Sequence, residues 1–340
     1  MSVTNEMRAL VLKGKGDLHE ELRAIPKPAV GEMLVRVAYC GICGSDLHAY
    51  HGLQPSLTFP CVMGHEIVGN IVEICGDSDL AIGDAVVIDP SFRCGSCVQC
   101  TSGKENICEN LRVLGVHCDG GFAEYCLCGI DMAHRVPTGL ALDVAAFGEP
   151  MSIAVHAASR MLGDKRDKVV IIGAGPIGLA LLLYLRPLFK TVQVVEMLEN
   201  RREVAAALGA DQVLHPLEIA IDSFADVVFD AVSNSHTARF AERVVARGGE
   251  VIVVGLSDAN TGFSLLTILK KELRVSGTRM TTRADFIEAL EYLKTLDSEL
   301  VRRIITHTYH LDAALEGFAL AEKHPESSIK ILIKGQGEAR

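Results

Sequence analysis

Residues 40–52 read CGICGSDLHAYHG, a mixture of cysteine, glycine, serine, aspartate and histidine that no helix or strand requires for packing. By itself the stretch could be a disulfide loop, a metal site or a polar turn. Further along, "GHE" supplies His65 and Glu66, and "GEP" supplies Glu149. One thiolate (Cys43), one imidazole and two carboxylates form a donor set suited to a zinc ion that exchanges a ligand with water or substrate. With Cys43, His65 and one carboxylate bound, the ion is neutral overall and remains a competent Lewis acid. A second carboxylate would make it anionic, so one of Glu66 and Glu149 is expected to coordinate weakly or through water. Taken singly, each of these residues reads more simply as a core histidine or a surface acid.

A second cysteine group has tighter spacing. "RCGSCVQCTSGKENICEN" places Cys94, Cys97, Cys100 and Cys108 as C-x2-C-x2-C-x7-C. Four thiolates complete a tetrahedral zinc and leave no open position, so this site, in a lobe over about residues 90–110, reads as structural. The lobe has almost no apolar residues to fold around, so the metal must supply its folding free energy. An iron–sulfur cluster also takes four cysteines and is the alternative.

A third pattern is built on glycine. Gly173, Gly175 and Gly178 in "VVIIGAGPIGLAL" form G-x-G-x-x-G after an apolar run and before a helical one. Gly173 permits the tight turn, Gly175 lets the backbone approach a pyrophosphate, and Gly178 allows close helix–strand packing. Such turns also occur without ligands. The next strand, however, ends in Glu196, where a carboxylate accepts from adenosine ribose hydroxyls and repels a 2′-phosphate. NAD is therefore expected over NADP. Arg201 could pair with a phosphate or cover the adenine face.

The elements that position these groups fall into two textures. Up to about residue 145, short β-branched runs such as "MLVRVAYC", "EIVGNIVEIC" and "DAVVIDP" alternate with Gly- and Pro-rich turns, as in a small barrel or sandwich. From about 150 the chain alternates strand and helix, which implies a doubly wound parallel sheet. The expected division is 1–148, 149–285 and a C-terminal segment 286–340 whose last strand, "IKILIK", could join either domain.

Composition limits the rest. The chain has 340 residues, 49% hydrophobic and 22% charged, with a formal net charge of −10 and no long basic run. That disfavours nucleic acid and anionic membrane as partners. The N-terminal stretch lacks a secretory pattern, so a cytoplasmic location is expected. All 11 cysteines lie between Cys40 and Cys128, an odd number in one segment, which argues for metal or thiol chemistry over disulfides.

"GICGSDLH", "GHE", the four-cysteine lobe, "DGGFAEY", "GEPMSIAVHA" and "GAGPIG" follow one another in an order that resembles the zinc-dependent medium-chain alcohol dehydrogenases. "GEPMSIAVHA" is similar to the polyol and threonine dehydrogenase branch, and "VLGVHCDGGFAEY" to bacterial galactonate- or gulonate-type sugar-acid dehydrogenases. The resemblance implies a GroES-like catalytic domain and a Rossmann NAD domain with the site in the cleft between them, two zinc ions per chain, and a dimer or tetramer. It implies that Cys43, His65 and Glu149 ligate the catalytic zinc, with Glu66 in or beside the shell. Ser45 and His48 match a proton relay. Ile177, Glu196, Arg201, Val254, Gly255, Leu256, Thr278 and Arg279 match coenzyme positions. The implied reaction oxidises a secondary hydroxyl of a sugar acid or polyol to a ketone, through zinc-assisted alkoxide formation and hydride transfer to NAD. L-Threonine 3-dehydrogenase activity is the alternative; a non-catalytic nucleotide-binding relative would be expected to lack zinc ligands or the relay. Two side chains favour a sugar acid: His117, where an apolar wall would suit a simple alcohol, and Arg279, whose guanidinium could grip a carboxylate. Cys40 departs from the family pattern and reads as a buried small apolar residue.

Overall fold

The computed structural model describes residues 5–164, 167–218, 224–256 and 262–335. The chain forms two compact units, Met1–Glu149 with Thr282–Arg340, and Pro150–Thr281. The second unit thus ends four residues before the boundary expected at 285, because Thr282 already caps a helix of the first unit by accepting from Asp285 N–H.

The first unit opens with an antiparallel pair, β1 (Glu6–Gly14) and β2 (Asp17–Ala24). The long β3 (Glu32–Ile42) leads into helix α1 (Gly44–Tyr50), and the short β4 (Cys61–Val62) pairs back on β1. Next come β5 (Glu66–Cys75), β6 (Ala85–Ile88), β7 (Ser91–Phe92), α2 (Val98–Thr101) and β8 (Arg112–Val113). β9 (Tyr125–Gly129), β10 (Ala133–Arg135) and α3 (Leu142–Ala145) follow, and α4 (Gly148–Ser159) begins in this unit with Gly148 and Glu149 and continues into the second. β3 pairs antiparallel with both β5 and β9, so it is the spine of this unit. Its core gathers Leu10, Leu12, Met33, Ile67, Ile71 and Phe122, each essentially without solvent exposure. Burying each such side chain contributes about 1.5–3 kcal/mol. Cys40 lies in this cluster, fully buried, and burial pushes its thiol well above the ordinary range, as a packing residue requires.

The second unit holds β11 (Lys168–Ile172), α5 (Pro176–Leu185), β12 (Thr191–Val195), α6 (Glu199–Ala207), β13 (Gln212–Leu214) and β14 (Ala225–Asp230). α7 (Ser235–Val244), β15 (Val245–Val253), α8 (Leu265–Lys271) and β16 (Arg274–Gly277) complete it. The strands lie parallel in the order β13-β12-β11-β14-β15-β16, the doubly wound arrangement with its reversal beside β11. β14 is buried at every position, as a strand covered on both faces must be.

The chain then returns to the first unit through α9 (Arg283–Thr295), α10 (Ser298–Ile304), β17 (Ile305–His310), α11 (Ala314–Lys323) and β18 (Lys330–Lys334). β18 pairs antiparallel with β3, setting Ile331 opposite Ile42 and Leu332 opposite Gly41. The last strand therefore extends the first unit's sheet. Its alternation explains the choice: Ile331 and Ile333 join the Phe122 cluster, while Leu332 joins a second cluster with Val68, Val87 and Phe286. Among the described residues no helix is long and apolar enough to cross a membrane.

Candidate active site

Cys43 lies where β3 ends and α1 begins. Asp46 accepts from Cys43 N–H at 2.8 Å, which caps the helix and fixes the backbone carrying the thiol. The other carboxylate oxygen of Asp46 stands 3.6 Å from His65 Nδ1, longer than a hydrogen bond but close enough to polarise the ring. Both side chains are nearly excluded from solvent. Burial pushes the His65 imidazolium down, yet Asp46 and the Cys43 thiol lift it well above its ordinary range. His65 Nδ1 has no hydrogen-bond partner among the described residues and faces Asp46. Asp46 was not singled out in the sequence; its place three residues after Cys43 at a helix start was the available signal.

His65 and Glu66 enter together at the head of β5. Ligand atoms of Cys43, His65 and Glu66 all lie within 4.8 Å of one another, a spacing that one zinc ion can satisfy. Glu149, in the first turn of α4, stands outside that set but feels it. Burial pushes its carboxyl up to about 7, against the pull of His65 and Lys330 and with the repulsion of Glu66. Ser45 and His48 sit one turn apart on α1 beside Cys43, so they share a helix face.

Lys330 was also missed. Its side chain is 2% exposed, and its ammonium donates to both oxygens of Glu66, at 2.6 and 2.7 Å, and to Ile42 O at 2.9 Å. Burial alone would push this ammonium down; Glu66, Cys43 and Glu149 more than reverse that, and it is held above its ordinary range. Nothing in "IKILIK" announces a partner, because the contact depends on β18 pairing with β3.

The four-cysteine lobe is assembled around α2. Sulfur separations are 3.5 Å for Cys94–Cys108, 3.9 Å for Cys97–Cys108 and 4.0 Å for Cys94–Cys100. Four sulfurs about 2.3 Å from one zinc stand about 3.8 Å apart, which these values bracket. A disulfide needs about 2.05 Å, and a cluster would spread its thiolates over several irons. Backbone N–H groups of Ser96 and Cys97 hold the Cys94 thiol down to about 5, in the thiolate form a metal requires. All 11 cysteines of the chain are free.

In the second unit Gly173 has φ +93°, and a Cβ there would press into Val232. A Cβ on Gly178 would overlap Gly173 O, so helix and turn touch only through glycine. Gly175, the N-cap of α5, has the Arg201 guanidinium as its only near neighbour on the Cβ side among the described residues, at 3.7 Å, leaving the loop approachable. Glu196 accepts from Ala174 N–H at 2.7 Å and Leu198 N–H at 2.9 Å. Its carboxylate thus braces the glycine loop while each oxygen keeps a further lone pair. Ile177 is half-buried in the first turn of α5. Val254 and Gly255 N–H both donate to Asp230 O, Thr278 N–H donates to Val253 O, and Leu256 and Arg279 are exposed. His117 is turned onto its own loop, where Nδ1 accepts from Val113 N–H at 3.0 Å.

Two units, one with a doubly wound sheet and glycine loop and one with a thiolate–imidazole–carboxylate cluster and a four-cysteine lobe, define a zinc-type nucleotide-dependent dehydrogenase. Residues 29–138 match the alcohol dehydrogenase GroES-like domain and residues 176–295 the zinc-binding dehydrogenase family. The chain is 35% identical to L-galactonate-5-dehydrogenase of Escherichia coli K12, over 82% of this chain and 85% of that one. Its structure is similar to an alcohol dehydrogenase of Escherichia coli CFT073 complexed with NADH, with TM-score 0.89, 30% identity and coverage of 97% and 99%. It is equally similar to a zinc-binding dehydrogenase of Sinorhizobium meliloti 1021 bound to NADP, with TM-score 0.89, 30% identity and the same coverage. The chain belongs to the zinc-type alcohol dehydrogenase family, in its polyol and sugar-acid branch.

Proposed function

We propose that this dehydrogenase oxidises a secondary hydroxyl of a sugar acid or polyol to a ketone, using NAD and two zinc ions per chain. The observation that carries the reading is the Cys43–His65–Glu66 cluster, with His65 and Glu66 buried and Cys43 half-buried, and Ser45 and His48 on the adjoining helix. Cys43, His65 and a carboxylate would hold the catalytic metal, with Glu149 in electrostatic reach; Cys94, Cys97, Cys100 and Cys108 would hold the structural one. The metal supplies Lewis acidity that eases loss of the substrate's hydroxyl proton, and NAD supplies the hydride acceptor. Within the chain, the Ser45 hydroxyl takes that proton and His48 passes it to solvent as general base. Asp46 orients the His65 ring and holds the Cys43 backbone.

For the coenzyme, Gly175 and the start of α5 would hold the pyrophosphate, Glu196 would select the unphosphorylated ribose, and Arg201 would cover the adenine side. Ile177, Val254, Gly255, Leu256 and Thr278 would complete the coenzyme contacts, and Arg279 would grip the substrate carboxylate. We also propose a cytoplasmic homo-oligomer. The oligomer is supported by the terminal strand β16 with exposed Val275, and by exposed Leu265, Leu266 and Leu269 of α8, the helix before it in the chain.

The test is NAD reduction by zinc-replete enzyme across aldonates, polyols, L-threonine and simple alcohols. The highest kcat/KM is expected for an aldonate or polyol. Preference for threonine would transfer the assignment to that dehydrogenase, and no turnover with any class would leave a nucleotide-binding protein without this chemistry.

A further inference from the structure

The two acids at the open metal centre pose a charge problem. With Cys43 and His65, one carboxylate leaves a zinc ion neutral, and two make the complex anionic and a poorer Lewis acid. Glu66 and Glu149 nevertheless both lie in this buried region, 1% and 6% exposed. A buried cation therefore has to stand close by, since uncompensated charge in the interior is costly.

Lys330 is placed to be that cation. It shares a face of β18 with Leu332, which packs with Val68 and Ala145 on the side of the sheet that carries Glu66 and the approach to α4. Its ammonium bridges both Glu66 oxygens and is anchored by Ile42 O, one residue before Cys43. Gly41, opposite Leu332, leaves the space: a Cβ there would overlap the Glu66 carboxylate. Strand, glycine and lysine together hold one acid in one position.

We propose that Lys330 is a positioning residue of the metal centre, which neutralises Glu66 so that two carboxylates can attend the zinc without making it anionic. The C-terminal strand thereby sets the metal's affinity and acidity, although it supplies no ligand. The inference rests on Cys43 and His65 holding zinc, and the experiment separates the two claims.

The experiment is chelator competition on the zinc-loaded enzyme, with zinc counted by elemental analysis and the step lost in Cys43→Ser taken as the open site. In Lys330→Met, Glu66 is released to the metal: zinc should bind about tenfold tighter or more, while kcat falls. Lys330→Arg, which keeps the cation, should restore both towards the unmodified enzyme. A purely structural ion pair predicts the opposite, weaker or unchanged zinc binding. Should Lys330→Met fail to fold, the neutral pair Glu66→Gln with Lys330→Met is compared with Glu66→Gln alone. Removing the lysine should then recover about tenfold in zinc affinity, because its unpaired charge repels the ion. No recovery, or no tightening in a folded Lys330→Met, overturns the proposal. Absence of a zinc step attributable to Cys43 overturns the earlier reading instead.

Discussion

The two cysteine-bearing centres of the first unit are opposites in construction. The lobe takes all four donors from the stretch between Cys94 and Cys108, where only Asn106 and Cys108 are buried and Val98 is 71% exposed. The open centre draws Cys43 from the β3–α1 junction, His65 and Glu66 from β5, Glu149 from α4 and Lys330 from β18, all of them buried except the half-buried Cys43. A lobe without a core would take its structure from a bound metal, whereas the open centre takes its arrangement from the core and would leave a coordination position for chemistry.

The largest effect that this contrast predicts is a split between two cysteine substitutions. Cys97→Ser removes one of four thiolates from a lobe that has nothing else to fold around, so insoluble or protease-sensitive protein is expected. Cys43→Ser leaves the β3 core untouched. It should keep its melting temperature within a few degrees while kcat/KM falls about 10³-fold, the scale of several kcal/mol of metal assistance. Elemental analysis of unmodified protein should give two zinc ions per chain. Equal loss of fold in both variants would erase the distinction.

The next effect concerns the stability cost of the core-built centre. Glu149 is pushed from 4.5 up to about 7, chiefly by burial. A carboxyl whose folded value is raised contributes stability that is complete below pH 4.5 and lost as pH rises through 7. In metal-free protein at pH 8, Glu149→Gln should therefore stabilise by about 3 kcal/mol, and the gain should vanish near pH 4.5. In zinc-loaded protein the same change should loosen the metal. Urea titrations at the two pH values, with and without chelator, read both signs. A Gln variant no more stable than the parent at pH 8 would mean that the acid is not strained.

Sequence spacing made some of this legible. The lobe is visible because its ligands are close in the chain, and the glycine loop because Gly178 answers to the backbone of Gly173, only five residues away. "EIVGNIVEIC" coincides with β5, Glu66–Cys75, because its β-branched run fills one strand. Lys330 was illegible, since its role arises from pairing 288 residues apart in the chain with Ile42. Asp46 was overlooked among more reactive neighbours. His117, read as a polar side chain where a simple alcohol would favour an apolar wall, accepts at Nδ1 from the nearby Val113 N–H, a contact its spacing did not announce. Local donors win over distant ones when both are within reach.

A smaller effect tests whether the second unit's acid works like the first unit's, as an internal brace, or faces outward to the coenzyme. Glu196 does the bracing through Ala174 and Leu198. If it also meets the ribose, Glu196→Ala should weaken NAD binding by about 1–3 kcal/mol and NADP binding by clearly less. Calorimetric titration with both coenzymes measures this. A parallel loss would assign Glu196 to loop structure alone.

The smallest effect falls on Arg279, an exposed residue just after β16. With His117 turned onto Val113, this guanidinium is the main support for a carboxylate-bearing substrate. Arginine can hold a carboxylate through two parallel hydrogen bonds, whereas lysine offers a point charge. Remote anchoring of a flexible chain sets which hydroxyl reaches the metal, so its loss appears in kcat/KM. Arg279→Lys should lower kcat/KM for an aldonate about tenfold, the equivalent of about 1.4 kcal/mol, and for an uncharged polyol by less than about threefold, with NAD affinity little changed. Paired kinetics on an aldonate and the corresponding polyol decide the matter. Equal losses on both, or a fall in NAD binding alone, would make Arg279 a coenzyme contact and shift the substrate from sugar acid to polyol.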